Sequence, residues 1–369
     1  MGKRIVISGA DFSANAIPVA KAVVGTSSPQ YIYVANVKTP PSGFDWDAHK
    51  VAITIKDDGS INSFNIPDNA TALPSAFRGE VAANTWLKEI DLSYLSTLPL
   101  TTFRALLSGC TELKRAIIGG SFGSVTGSEA TYIMFDGCPL LDEVVIDESF
   151  DAPNMSDIRG MFYSAGVRSV KGLKNLVKST ITRMDAFFYD CSNIREIDLT
   201  GCNTENVTNF SSMFRLCSSL SRIKGIEGLD TSRVSNYTQA FESVGQIGKL
   251  DLSNWIIAAN AVTTRMFLSA HIYELNANCF TALYGDITGM FYLGRWNTIH
   301  LDNLNDVSAV TSSTNLFSPY VTGTPKVTIA NVTNSAVKTL LINALNANSV
   351  GGSSNWHEAT VDGVLCLVP

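Results

Sequence analysis

The sequence predicts a β-rich solenoid of the leucine-rich-repeat class: a parallel strand ridge of about nine coils with a period near 26 residues, capped at both ends. Three observations predict it. An aromatic anchor returns at a nearly constant interval, a fixed order of apolar residues follows each return, and the composition is rich in turn formers and poor in charge.

The anchors are Phe135 in IMFDGC, Phe162 in GMFYSA, Phe188 in AFFYDC, Phe214 in SMFRLC, Phe241 in QAFESV, Phe267 in RMFLSA, Phe291 in GMFYLG and Phe317 in NLFSPY. Successive intervals are 27, 26, 26, 27, 26, 24 and 26 residues, and degraded copies around Phe77 and Leu107 extend the series upstream. Relative to the Phe, a small residue or Cys stands at +3, an aliphatic at +6, and two more at +9 and +11. Thus Phe188 is followed by Cys191, Ile194, Ile197 and Leu199, and Phe135 by Cys138, Leu141, Val144 and Ile146. The +9/+11 alternation marks a short strand with one buried face, and its L-x-x-L-x-L order at this period falls in the leucine-rich-repeat window. One unit cannot bury its own apolar stripe, so neighbours must stack, with strands in parallel about 4.8 Å apart and a ridge roughly 45 Å long. Phe then stacks on Phe along one interior spine.

The composition agrees. Only 16% of residues are charged against 45% hydrophobic, so the surface must be largely Ser, Thr, Asn and Gly. The net charge of −6 is modest and the basic residues are scattered, which argues against nucleic acid and anionic lipid as partners. No apolar run approaches the ~18 residues of a membrane span. The opening MGKRIVISGADFSANAIPVA is broken by Asp11 too early for an export leader. The seven cysteines lack a C-x-x-C pair or zinc spacing. Cys110, Cys138, Cys191 and Cys217 share the +3 phase with Ala165, Val244 and Ala270, which implies a small buried apolar group and reduced thiols. No metal or cofactor is expected.

Four segments follow from where the period holds. Residues 1–48 are aperiodic and read as an attachment segment. Residues 49–75 contain two alternating runs around Asp57-Asp58-Gly59, a hairpin signal at the start of the coils. The coils occupy 76–330. Residues 331–369 read as a C-terminal cap, with a helix after an Asn N-cap and HEATVDGVLCLVP returning as a strand.

The stretch IREIDLTGCNTENVTNFSSMFRLCSSL (194–220), with LDLSNW (250–255), resembles the BspA-like leucine-rich repeat of Bacteroides surface proteins, which is also found in many protist and mycoplasma proteins. The resemblance covers roughly residues 76–317. It implies a binding or adhesion role, since family members are mostly adhesion and host-interaction proteins. The opening KRIVISGADFSANAI also resembles the starts of some proteins encoded by phages and mobile elements of gut Bacteroides.

A search for chemistry finds no G-x-G-x-x-G, Walker A, H-E-x-x-H or G-x-S-x-G. His49, His271, His300 and His357 fall in different units or end segments. Asp142, Glu143, Asp147 and Glu148 cluster in one coil, as a glycosidase would require, yet Asp142 and Glu143 face different ways and basic residues on adjacent coils can neutralise them. The candidate ligand surface is the outward side of the strands: Arg115, Glu143, Glu196, Asp198, Arg222, Lys224, Lys249 and Asp251. Inter-coil ion pairing competes with ligand contact there, as opposite charges at +8 and +10 would meet across the ladder. Trp255 matches an aromatic of the family pattern and should pack in the core; Trp46, Trp86, Trp296 and Trp356 follow no phase.

The expectation is a non-enzymatic binding protein for a surface protein or glycan. The missing leader favours a phage tail-fibre or receptor-binding component of the virion, attached to other virion proteins through residues 1–48. The alternatives are a bacterial cell-surface adhesin with its leader removed and a solenoid carbohydrate-active enzyme.

Overall fold

The computed structural model describes residues 102–369 throughout and, before them, 30–33, 50–55, 61–65 and 89–92. The anchor at Phe77, Trp46, Trp86, His49 and most of residues 1–75 lie outside the described residues. The chain divides into two compact units, Met1–Ser156 with Ser164–Leu176, and Asp157–Tyr163 with Val177–Pro369.

In the first unit, β1 (Gln30–Tyr33), β2 (Lys50–Ile55) and β3 (Ile61–Asn65) form an antiparallel sheet in the order β1-β2-β3. The β2–β3 pairing, with Thr54 opposite Ser63, flanks the Asp57-Asp58-Gly59 run. Four parallel strands follow, β4 (Glu89–Asp91), β5 (Arg115–Ile118), β6 (Glu143–Ile146) and β7 (Ser169–Lys171), one per coil. Ala116, Val144 and Val170 share an inward row and are buried.

The second unit repeats the scheme. The strands β8 (Glu196–Asp198) and β9 (Arg222–Lys224) pair in parallel. Next come β10 (Gln246–Asp251), β11 (His271–Asn276), β12 (Ala282–Asp286), β13 (Thr298–His300), β14 (Asp306–Ser312), β15 (Lys326–Thr328), β16 (His357–Val361) and β17 (Val364–Val368). Their sheets run β10-β11-β13-β15-β17-β16 and β12-β14. The β-solenoid is thus borne out, but among the described residues the parallel strands form separate groups. Gly172 after β7 and Gly225 after β9 take left-handed backbone (φ 75° and 72°) against a preceding coil, where a Cβ would strike Ile146 O or Thr200 N. The chain then enters a helical turn, α1 (Leu173–Leu176) or the 3-10 turn Ile226–Gly228, and strand pairing stops. The repeated Lys-Gly-Leu/Ile (171–173, 224–226) is the sequence signal of this departure.

All eight anchor phenylalanines are buried. In the second unit seven rings, from Phe162 through Phe188, Phe214, Phe241, Phe267 and Phe291 to Phe317, stack in order. Their centroids are 5.1 to 6.2 Å apart and their planes within 27° of parallel. The preceding residue is buried too, as at Met213, Met266 and Met290, although adjacent side chains on a strand would point opposite ways. The backbone resolves this. Residues two before and two after the Phe are left-handed: Ala186 and Asp190 around Phe188, Ser212 and Leu216 around Phe214, Gln239 and Ser243 around Phe241.

Each left-handed non-Gly residue costs about 1–2 kcal/mol. A second hydrogen-bond ladder offsets that cost. Ala186 N, Phe188 N and Asp190 N donate to Ser211 O, Met213 O and Arg215 O of the next coil (2.8, 2.9 and 2.8 Å), while Tyr189 N and Cys191 N close turns within their own coil. These backbone N–H groups of the turn face therefore have partners without a regular strand.

The +3 thiols also depart from the apolar expectation. Cys138 Sγ donates to Leu107 O (3.1 Å), Cys191 Sγ to Phe162 O (2.9 Å) and Cys217 Sγ to Phe188 O (3.0 Å). Each ties one coil to the anchor carbonyl of the coil before. All seven cysteines are buried thiols outside any disulfide, and burial pushes the Cys138 and Cys217 thiols well up and those of Cys202 and Cys279 to about 12.

At the C-terminus, Asn334 Oδ1 accepts from Ala336 N (2.9 Å) and starts α2 (Ser335–Ala347), whose Val337, Leu341 and Leu345 are buried. Asn334 also donates to Asn305 O (2.9 Å), fastening the helix start to the preceding coil. The final segment is a hairpin, not the single strand expected. Asp362 and Gly363 are both left-handed (φ 54° and 80°), a two-residue turn joining β16 to β17, and β17 adds antiparallel to β15.

Candidate functional site

The outward row of the strands carries the candidate residues, and a shared arrangement recurs there: one glutamate held by two basic groups. In the first unit Arg115, Glu143 and Ser169 stand opposite one another on β5, β6 and β7. Glu143 Oε2 accepts from Arg115 Nε at 2.9 Å, and its other oxygen meets Lys171 Nζ. Hydrogen bonds from Lys171 and Arg115 hold this carboxyl below the usual carboxylate range. Asp142 turns to Arg168 (3.3 Å), and Asp147 accepts from the Ser149 hydroxyl and amide (2.6 and 2.9 Å). The carboxylates of the sequence cluster thus serve different partners.

On β8 and β9, Glu196 lies opposite Arg222 and Asp198 opposite Lys224. Lys224 nevertheless reaches diagonally to Glu196, which Arg222 approaches at 3.7 Å. Asp198 instead accepts from Thr200 N (2.9 Å), and its bonds to Thr200 lower its pKa. The register matches the +8 and +10 series; the ion pairs converge on +8. Long lysine stems make the diagonal reach, whereas a short Asp at a strand end finds the turn amides first.

On β10, β11 and β13 the centre is Glu274, with Lys249 Nζ at 2.7 Å and His300 Nε2 at 3.5 Å. His300 Nδ1 lies 2.9 Å from Thr328 Oγ1. The Lys249 bond holds Glu274 below its usual range. Asp251 accepts from Ser253 N (3.0 Å), as Asp198 does from Thr200. His271, on the same strand as Glu274, stands in register with Gln246 and Arg295 and is not brought to His300. Glu274, His300 and Lys171 stand at +7 from Phe267, +9 from Phe291 and +9 from Phe162, outside the +8/+10 phase on which the sequence prediction rests.

A second column lies on the turn face at the residue after each Phe. Tyr163 and Tyr189 stack at 4.6 Å with planes 2° apart, Arg215 lies over Tyr189 at 5.3 Å, and Arg215 pairs with Glu242 at 3.0 Å. Its signal was legible as Phe-Tyr, Phe-Tyr, Phe-Arg, Phe-Glu on successive coils. Three tryptophans are core groups. Trp255 donates to Ile226 O (2.8 Å), Trp356 donates to Val350 O (3.0 Å), and Trp296 is wholly buried.

Among the described residues no group of three or more His, Cys, Asp or Glu side chains is placed to hold a metal ion, and no helix is long and apolar enough to cross a membrane. A family model described as "Mycoplasma protein of unknown function, DUF285" matches residues 71–196 and again 182–298, together more than half of the chain. No curated protein and no solved structure matches. The two matches take in the Phe anchors from Phe135 to Phe291 and fit the BspA-like repeat pattern, and the chain belongs to this DUF285 family of repeat proteins.

Proposed function

We propose that this chain is a non-enzymatic binding or adhesion protein whose strand ridge, with the loops beside it, contacts a protein or glycan on a cell surface. The observation that carries this reading is the state of the ridge carboxylates. Hydrolysis of a sugar needs one carboxyl kept protonated beside an ionised one. Glu143 and Glu274 are instead held ionised by hydrogen bonds from basic neighbours, which suits a fixed polar surface. Membership of a repeat family supports the same reading, because stacked coils expose a broad surface to a partner. Incubation with capsular polysaccharides should release no new reducing ends; their appearance would overturn the non-enzyme assignment.

Within this reading the chain is a phage tail-fibre or receptor-binding component, located in the virion tail and attached through residues 1–48. The resemblance of KRIVISGADFSANAI to phage-encoded starts supports it. The BspA-like resemblance favours a bacterial cell-surface adhesin as the second reading. Antibody detection of the native protein separates them: recovery with purified virions supports the first, and recovery in the outer membrane of uninfected cells the second.

A further inference from the structure

The ridge glutamates described above spend their charge on neighbouring coils, so most of the ridge offers few free groups to a ligand. One stretch differs. On β10, Ile247 and Leu250 are buried while Gly248 and Lys249 face outward; on β11, Ile272 and Leu275 are buried while Tyr273 and Glu274 face outward. Each strand therefore bends at this point and presents two outward residues in succession. The register sets Gly248 on one side of Tyr273, and Asn297, whose N–H donates to Tyr273 O (2.9 Å), on the other.

Tyr273 is 53% exposed, and a Cβ added to Gly248 would meet nothing within 4 Å. An open step thus lies beside the aromatic residue. The adjoining row is Gln246, His271 and Arg295, in register across three coils. His271 is tucked against Gly294, where a Cβ would strike its ring. Gln246 and Arg295 are exposed, and among the described residues neither side chain has a hydrogen-bond or ion-pair partner.

We propose that Tyr273, Arg295 and Gln246 form a binding subsite for a carboxylate-bearing sugar of a surface polysaccharide. This rests on the binding role proposed above and names its ligand class. An aromatic ring offers an apolar face to the C–H face of a sugar, a free guanidinium matches a carboxylate through two parallel hydrogen bonds, and a side-chain amide serves hydroxyls. A protein partner fits less well. Protein interfaces surround their aromatic anchors with a desolvated apolar core, whereas Tyr273 is the single strongly exposed large apolar side chain on β10, β11 and β13.

The test is affinity electrophoresis of the full chain in gels containing alginate, polygalacturonate or hyaluronate, with dextran as the neutral control. The expected result is retardation by at least one acidic polymer and none by dextran, weakened about tenfold by Tyr273→Ala. Arg295→Gln should weaken it comparably, and added salt should reduce it. Lys338→Gln, on α2 and already paired with Glu358 (2.7 Å), should leave it unchanged. The two substituted residues, Tyr273 and Arg295, are exposed, so unaltered thermal unfolding of the variants would exclude misfolding as the cause. Retardation insensitive to Tyr273→Ala and Arg295→Gln would overturn the subsite while leaving the binding role standing. Absence of retardation by all three acidic polymers, with intact cells still binding the chain, would do the same. Absence of both would overturn the subsite and the binding role together.

Discussion

On the strand ridge Glu196 reaches Arg222 and Lys224 across one strand boundary, while on the turn face of the same coil Phe188 and its neighbours hand backbone N–H groups to the next coil. Both faces join coils, but with different materials. The ridge joins them through ordinary parallel pairing plus exposed ion pairs worth about 0.2–1 kcal/mol each. The turn face joins them through alternating left-handed backbone and through stacked rings and thiol–carbonyl bonds that are buried. Stability should therefore reside mainly on the turn side, leaving the outward ridge freer to vary in sequence.

The largest break should come from the spine. Phe214→Ala removes a ring stacked on both sides and should cost about 3–5 kcal/mol in denaturant unfolding; a loss no larger than that of a ridge ion pair would refute the spine. Next is a pair of substitutions three residues apart in one coil. A Cβ at Gly245 would lie 2.5 Å from Ser218 O and 2.7 Å from Leu220 O, so Gly245→Ala should cost about 1–3 kcal/mol. Gly248→Ala, on the open ridge, should be neutral or stabilise by about 0.4–1 kcal/mol. Equal effects from the two would erase the distinction between the faces.

Cys217→Ala should cost about 1 kcal/mol, since it deletes a buried donor but leaves Phe188 O its bond from Cys191 N. Its pH dependence carries a sign. Burial raises the folded thiol pKa, so the thiol's contribution is whole below the unfolded value of about 8.5 and declines as pH rises above it. The variant should lose part of the alkaline destabilisation seen in melts of the parent chain. The smallest effect belongs to Glu143→Gln, under about 1 kcal/mol and smaller still in high salt. Its carboxyl is depressed when folded, so the contribution is present above about pH 4.3 and fades as pH falls. A cost of several kcal/mol would show that ridge pairs hold the coils together after all.

Much of the architecture was legible before any coordinates. The Phe period located the coils, the +9/+11 alternation located the strands, and Asn334 announced the last helix. The candidate site was legible in its phases and less so in its partners. Asp198 and Lys224 stand opposite each other as the +10 series required, yet Lys224 turns to Glu196, because a lysine stem spans a diagonal that a spacing rule does not describe. The meeting of Glu274 with His300 is not legible in the sequence because the two stand at +7 from Phe267 and +9 from Phe291, off the phase that the other ridge charges keep.

The sequence by itself determined that this chain is a stack of coils with an aromatic interior, because burial of one apolar stripe per unit repeats at a fixed period and leaves a direct record in residue order. Only the tertiary structure decided how the turn face is built. Left-handed backbone at Ala186, Gln239 or Arg265 is disfavoured locally and exists because the neighbouring coil supplies the matching carbonyls. Those residue types carry no mark of that conformation, since its stabilisation lies about one coil away along the chain.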